Sequence, residues 1–476
     1  MGVIRKETMR VAGKFGENDR TFNVLNPYTN QVVGTCPKAT VDDIRQAFAV
    51  AKAYKPMLSR ADRSAILRKT AEILVSRRQQ IAELITAESG LSLKDTLYEV
   101  GRAYDVFHLA GSIVIKDDGE IFSCDITPHG KKRRIYTQRD PLLGVISAIT
   151  PFNHPLNQVA HKVAPAIATN NRMVLKPSEK TPLSALMLAD VLYEAGLPRE
   201  MFQVVTGDPT EIADTLLTDP DVDLITFTGG VSVGKYIASH MGYRRAVLEL
   251  GGNDPLIVME DADIEEAATL AAAGSYKNSG QRCTAVKRMI VHEAVADRFV
   301  ELLLEKTKAV KYGDPANPDT DMGTVIDEAS AIYCEEAVND AVKAGAKLLT
   351  GNIRRGALYS PTVVDHVPYD CRLVHIETFG PVSPVIRVKN IDEAIKVSNS
   401  TDYGLSSGVC TNRLDYITRF VRELEVGTVN VREVPGYRIE MSPFGGIKDS
   451  GLGYKEGVIE AMKCFTNVKT YSLPWG

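Results

Sequence analysis

The sequence predicts an α/β protein built on parallel sheets, and three observations carry that expectation. From Leu142 onward, short apolar runs rich in β-branched residues alternate with stretches whose apolar residues recur at helical spacing. The chain has 476 residues, too many for one ordinary core, so more than one domain is expected. Hydrophobic residues make up 44% and charged residues 24%, the balance of a globular protein.

Residues 41–115 read as helices. Ile66, Leu67, Ala71, Ile73 and Leu74 recur at helical spacing, as do Leu97, Val100, Ala103, Val106 and Phe107. Residues 118–139 are polar with alternating apolar positions and read as an excursion or hairpin. Leu143–Ile149 is an apolar run stopped by Thr150-Pro151. Leu156, Val159, Ala160, Val163, Ala164 and Ile167 then share one helical face. Met173–Leu175 reads as a buried strand, and Ser184–Glu194 as a helix ending at Gly196. Phe202–Val205 and Leu224–Thr228 are further strands, each followed by a helical pattern. The alternation restarts after Gly252. Strands are expected at Met289–Val291, Pro361–Val364, Pro384–Val388, Gly408–Cys410 and Thr428–Val431, with helices such as Val295–Lys308 and Tyr333–Ala344 between them. Cys464–Leu473 reads as a strand leaving the body of the chain.

Several function classes are excluded. The net charge is −4 and there is no basic arm, so no nucleic-acid partner is expected. The short cluster Lys131–Arg134 reads as a solvated strand end. Seven cysteines stand at 36, 124, 283, 334, 371, 410 and 464, an odd number without a CxxC pair. This argues against a disulfide framework or a structural zinc site and for a reducing compartment. The stretch Met1–Lys6 lacks an apolar core for a signal peptide, and Lys6 stands where a myristoylation signal needs Ser or Thr. No apolar stretch is long enough to span a bilayer. A cytoplasmic enzyme without membrane or metal is expected.

Four segments invite chemistry. Phe227-Thr228-Gly229-Gly230-Val231-Ser232-Val233-Gly234 lies where a strand becomes a helix, and glycines there let backbone approach a pyrophosphate. It is not GxGxxG, and a plain strand–helix turn fits equally well. Lys176-Pro177-Ser178-Glu179 ends a strand; its acid could accept from an adenosine ribose, or it is a surface loop. Glu249-Leu250-Gly251-Gly252 sets a carboxylate before two glycines. Gly280-Gln281-Arg282-Cys283-Thr284 places a cysteine after a polar turn and an arginine, which favours thiolate. A lone loop cysteine is more often inert.

Together these segments resemble the aldehyde dehydrogenase superfamily over nearly the whole chain. The matching pieces are Pro151-Phe152-Asn153, Lys176–Glu179, Phe227–Gly230, Glu249–Gly252, Gly280–Cys283, Glu377-Thr378-Phe379-Gly380-Pro381 and Pro443-Phe444-Gly445-Gly446, in the family's order. The interval from Glu249 to Cys283 (283 − 249 = 34) also fits. The resemblance implies an α/β fold with a Rossmann-like cofactor domain (residues 1–117 and 139–251), an α/β catalytic domain (252–455) and a small β oligomerisation element (118–138 and 456–476). It implies a homodimer or homotetramer in which the C-terminal strand extends a neighbour's sheet. Cys283 would attack an aldehyde as thiolate, with Asn153 and the Cys283 N–H holding the oxyanion. Hydride loss to NAD would leave a thioester that Glu249 opens with water. The cofactor would be held by Thr150, Pro151, Phe152, Lys176, Ser178, Glu179, Gly229, Gly230, Gly234, Leu250, Gly251, Glu377 and Phe379. The acid at 179 favours NAD, with NADP possible. Asn170 stands where the family commonly has Gly, and Ile376 replaces a frequent acid.

Four residues fall where the family lines its substrate tunnel: Arg102, His154, Arg282 and Arg438. Three guanidiniums and an imidazole could converge on one substrate anion; arginines beside active-site loops also form structural ion pairs. The expected substrate is a small anionic aldehyde, first phosphonoacetaldehyde. Glyceraldehyde 3-phosphate, succinic semialdehyde, sulfoacetaldehyde and lactaldehyde are the alternatives. A CoA-acylating enzyme is disfavoured because Glu249 is present. A non-catalytic structural protein of the same fold is disfavoured because Cys283, Asn153 and Glu249 are retained together.

Overall fold

The helices that open the chain start where the sequence caps them. Thr40 with Asp43, and Ser59 with Asp62, form capping boxes for Val41–Ala53 and Arg60–Ser76. Ser92 caps the long helix Leu93–Ile113. The apolar face read at 66–74 and 97–107 packs against the helix Asn157–Ala168 in one core. That helix is buried on every side, including Gln158, His161 and Lys162. The computed structural model describes residues 4–12, 19–116, 118–453 and 455–474; Met1 to Val3, within the N-terminal reading, lie outside them.

Two parallel sheets follow. The first runs in the spatial order Arg245–Glu249, Val222–Thr228, Val145–Ile149, Met173–Lys176, Phe202–Val204. Its order reverses between Val145–Ile149 and Val222–Thr228, and a ligand crevice is expected beyond the carboxyl ends of those two strands. Thr150–Asn153 and Gly229–Gly230 stand there. The second sheet runs Lys347–Thr350, Thr362–Asp365, Val382–Val388, Arg288–His292, Pro255–Val258, Ser406–Cys410, Thr428–Val431. It is parallel except for the antiparallel edge strand Lys347–Thr350.

The strands that sequence patterning passed over are short or mixed in character. Arg245–Glu249 begins and ends on a charge, Lys347–Thr350 is largely exposed, and an N-terminal sheet of Arg5–Lys6, Val32–Pro37 and Thr21–Leu25 mixes apolar with polar residues in short strands. The polar excursion is the hairpin Ile121–Ser123 and Arg134–Pro141, and Thr466–Leu473 pairs along it to complete a three-stranded antiparallel sheet. Tyr136 and Tyr471 stack across that pair. The helix Val458–Cys464, by contrast, buries Val458 and Ala461 in the core of the first sheet's helical layer. All seven cysteines are free. Among the described residues no helix is long and apolar enough to cross a membrane, and no group of three or more His, Cys, Asp or Glu could hold a metal ion.

Candidate active site

Cys283 sits beyond a turn that L-residues rarely make. Asn278, Ser279 and Gly280 take φ of 55°, 54° and 71° in succession. A Cβ at Gly280 would lie 2.2 Å from the Gly380 carbonyl oxygen, so only glycine fits. Polar contacts hold the turn. Asp95 accepts from the Asn278 N–H at 3.0 Å, and the Gln281 side chain accepts from the Ile326 N–H at 2.8 Å.

Asn153 faces this turn from the first sheet. Its Nδ2 donates to the Gln281 carbonyl at 2.8 Å, while its own carbonyl accepts from Asn278 Nδ2 at 3.1 Å. An amide nitrogen has two hydrogens, so one remains to meet an oxyanion. The Cys283 N–H has no hydrogen-bond partner among the described residues. Glu249 ends its strand with both carboxylate oxygens buried and unpartnered. Burial, then the charge of Glu456, pushes its pKa well above the usual carboxylate range against Lys162, Arg438 and Lys455. Glu456 keeps its charge because Lys162 Nζ lies 2.6 Å away. The raised Glu249 carboxyl is therefore a stronger base than an exposed carboxylate, which suits general-base work.

Burial raises the Cys283 thiol to about 11; Asp254 and Glu377 add to this, and Lys287 and Arg438 oppose it. The arginine expected to favour thiolate was the adjacent Arg282. The structure gives the larger lowering influence to Lys287 and Arg438 instead, neither of them an immediate neighbour in sequence.

Three guanidiniums and His154 do come together, but not all are free. Arg102 is already clasped by Glu440, with Nε and Nη2 at 2.5 and 3.1 Å from its two oxygens. His161 holds the same carboxylate at 2.6 Å. Burial would raise Glu440, yet His161, Arg102 and Arg438 hold it well below the usual range. Arg282 donates through Nη2 to the Gly274 carbonyl at 2.6 Å, leaving its Nε buried without a partner. Arg438 lies over the Phe444 ring at 3.9 Å with its Nη1 buried and unpartnered. His154 is buried, 3.6 Å from Glu99, and burial lowers its pKa, so at neutral pH it is an uncharged imidazole, not a fourth cation. That fourth cation is Lys277, which sequence reading missed. Its ammonium lies 3.2 Å from the Tyr98 ring centre and, through burial, Arg282 and Arg102, falls to about 8.

Most of the residues expected to hold the cofactor follow the carboxyl ends of the first sheet's strands, and Glu377 and Phe379 come from the segment before Val382–Val388. Gly230 caps the helix Val231–His240 without a side-chain hydrogen bond, leaving helix N–H groups open to an anion. Gly229 lies between it and the strand end. Thr150 Oγ1 is buried and unpartnered, and Phe152 meets Phe379 edge-on at 5.9 Å. Pro151 lies between those two residues. Lys176 is buried, 3.4 Å from the half-exposed Glu179, and Ser178 accepts from the Lys180 N–H. Glu377 reaches the Gly252 N–H at 3.3 Å, past Gly251. At Gly234 the Cβ position is filled by Leu250, so glycine there also serves helix–strand packing. A cleft of about 470 Å³ between the helices Pro209–Thr218 and Val231–His240, lined by Pro209, Ala213, Val233 and Tyr236, could take a purine.

A two-sheet α/β protein that sets a cysteine loop against the carboxyl ends of its first sheet is thereby defined. Residues 15–471 match the model of the aldehyde dehydrogenase family, and the chain belongs to that family. It is 40% identical to 3-sulfolactaldehyde dehydrogenase of Priestia megaterium over 471 residues, 99% of this chain and 98% of that one. Aldehyde dehydrogenase 21 of Physcomitrella patens, in complex with the reaction product succinate, superposes with a TM-score of 0.95 at 36% identity, covering 99% of each chain. NADP-dependent glyceraldehyde-3-phosphate dehydrogenase of Bacillus halodurans, complexed with NADP, superposes with a TM-score of 0.96 at 35% identity, covering 99% of this chain and 100% of that one.

Proposed function

We propose that this aldehyde dehydrogenase oxidises a short aldehyde with an anionic far end, phosphonoacetaldehyde before others, to its carboxylic acid. The observation that carries this reading is the pair of buried guanidinium donors, Arg438 Nη1 and Arg282 Nε, that no protein atom satisfies. Buried donors are rarely left unpaired, so a ligand oxygen is their natural partner. The charge balance selects the anion. Arg102 is neutralised by Glu440 and His154 is uncharged, which leaves Arg282, Arg438 and Lys277. Such a site suits a dianion. A sulfonated aldehyde is the second reading, supported by the relative from Priestia megaterium.

Cys283 would add to the aldehyde carbon while Asn153 Nδ2 and the Cys283 N–H receive the developing oxyanion. The bound dinucleotide supplies the hydride acceptor. Glu249 would then take the proton of the water that opens the Cys283 thioester, so the product leaves as the acid and not as an acyl-CoA. Lys176 and Glu179 would hold the adenosine ribose, and the carboxylate at 179 would repel a 2′-phosphate, so NAD is preferred and NADP possible. The strand Thr466–Leu473 would join copies into a homodimer or homotetramer. Seven free cysteines fit a cytoplasmic setting.

A panel of phosphono-, sulfo-, carboxy- and unsubstituted short aldehydes, assayed for NADH and NADPH, tests the reading. Phosphonoacetaldehyde should give the highest kcat/KM. Equal turnover of acetaldehyde would overturn it.

A further inference from the structure

Lys287 is buried at 2% exposure, four residues beyond Cys283, and has no part in the chemistry above. Its ammonium donates to three acceptors, each at 2.6 Å: the Gly252 carbonyl, the Cys283 carbonyl and Glu377 Oε1. An ammonium has three hydrogens, so its capacity is filled. The acceptors come from three separate segments. One follows Glu249, one is the nucleophile's own residue, and one is the carboxylate expected to hold the nicotinamide ribose. The main chain at Lys287 is itself fixed, because its N–H donates to the Asp254 carbonyl at 3.0 Å. A buried ammonium costs stability unless it is paired and fully hydrogen-bonded, and here both conditions are met by groups of the site.

We propose that Lys287 is a positioning residue that ties the Cys283 loop, the Gly252 turn and the Glu377 carboxylate into one unit and places a positive charge beside the thiol. It acts through Cys283 and Glu377 and does not touch the aldehyde. The charged groups facing the thiol are Lys287, Asp254, Glu377 and Arg438, with Arg282 adjacent in sequence. Burial raises the thiol, the two carboxylates add to that, and Lys287 heads the cations opposing it. Since Glu377 partly cancels the ammonium that it holds, any change that draws the carboxylate away strengthens the field at the thiol.

The test reads the thiol directly, so it stands whichever aldehyde the enzyme takes. Alkylation of Cys283 by iodoacetamide is followed against pH in the cofactor-free enzyme, with the modified residue identified by peptide mass. Lys287→Met should shift the profile to higher pH and slow alkylation at pH 9 by roughly tenfold for each unit of pKa gained. Lys287→Arg should restore most of the profile, because charge persists, yet still weaken NAD binding measured by fluorescence titration, because the fork cannot reproduce the three contacts. A merely structural lysine would lower the melting temperature and leave the alkylation profile in place. A wild-type profile in Lys287→Met overturns the proposal. Should Lys287→Met fail to fold, Lys287→Gln decides: it keeps hydrogen-bond donors without the charge, so alkylation at pH 9 should slow as for Lys287→Met, and a wild-type rate overturns the proposal.

Discussion

Arg438 and Arg102 differ in what else they hold, and their alanine variants should differ accordingly. Arg438 stacks on Phe444 and offers an unpartnered Nη1. Charge-assisted hydrogen bonds are worth about 1.5–3 kcal/mol, so Arg438→Ala should raise KM for phosphonoacetaldehyde about 10- to 100-fold while acetaldehyde is little affected. Arg102→Ala strips Glu440 of one of its two hydrogen-bonded partners and leaves His161 as the other. Breaking a buried pair costs about 3–5 kcal/mol, so Arg102→Ala should lower the melting temperature and raise KM less than Arg438→Ala does; calorimetry beside steady-state kinetics separates the two. Glu249→Gln should leave the first turnover and stall the second. A stopped-flow burst of one NADH per subunit followed by a steady rate at least ~100-fold down would show it; loss of the burst as well would contradict the assigned role. Lys277 is a cation below its pKa of about 8 and neutral above it. Affinity for an anionic aldehyde should therefore weaken as pH rises through 8, and Lys277→Met should flatten that limb of the KM profile. Among the site residues, those inside ordered motifs were legible: Cys283, Asn153, Glu249 and Glu377 each stand in one. Glu440 was not, although it follows Arg438 by two residues, because its meaning lies in Arg102, 338 positions away. Lys287 left one signal, a lysine at the head of the apolar run Met289–Val291, where a charge needs buried partners.

At the scale of elements, the turn Asn278–Gly280 decides where the nucleophile points. Gly280→Ala would meet the Gly380 carbonyl and hold alanine at positive φ. Left-handed backbone alone costs roughly 1–2 kcal/mol, and the clash adds to it, so the variant should melt several degrees lower and lose most activity. Retention of both would mean that the loop has room that the structure does not show. The long helices and the central strands were legible because periodicity survives wherever one face or both are buried. Asn170, which stands where the family commonly has Gly, adopts φ of 61°, a left-handed backbone that Asn tolerates. The strands that escaped run two to six residues and mix polar with apolar positions, which carries too little pattern. The helix Asn157–Ala168 shows the opposite limit: its apolar face was visible, but burial of His161 and Lys162 depends on partners, Glu440 and Glu456, that the periodicity cannot name.

Taken whole, the site is a seam. Asn153 and Glu249 come from the first sheet, Cys283 and Glu377 from the second, and the Asn153–Gln281 hydrogen bond crosses between them. The general α/β class and its two-sheet division were legible as two runs of strand–helix alternation; the meeting of the first sheet's carboxyl ends with the loops that enter the second sheet's strands was not, since no local pattern encodes it. The sheet of Ile121–Ser123, Arg134–Pro141 and Thr466–Leu473 has Thr466–Leu473 at its edge. An open edge invites another strand, so a chain lacking residues 466–474 should elute as a smaller species than the full chain in light-scattering chromatography. Equal assembly of both would place the interface elsewhere. The same strand also bears on the chain's birth. Its partner Arg139 is 327 residues earlier than Thr466, and Val458 and Ala461 fill a core begun by residues 66–107. Synthesis runs from the N-terminus, so residues 66–107 and 134–141 wait on segments made much later for their core and their sheet. During that interval the nascent protein exposes an unfinished apolar surface, and it is then, more than at any later time, that a chaperone has something to protect.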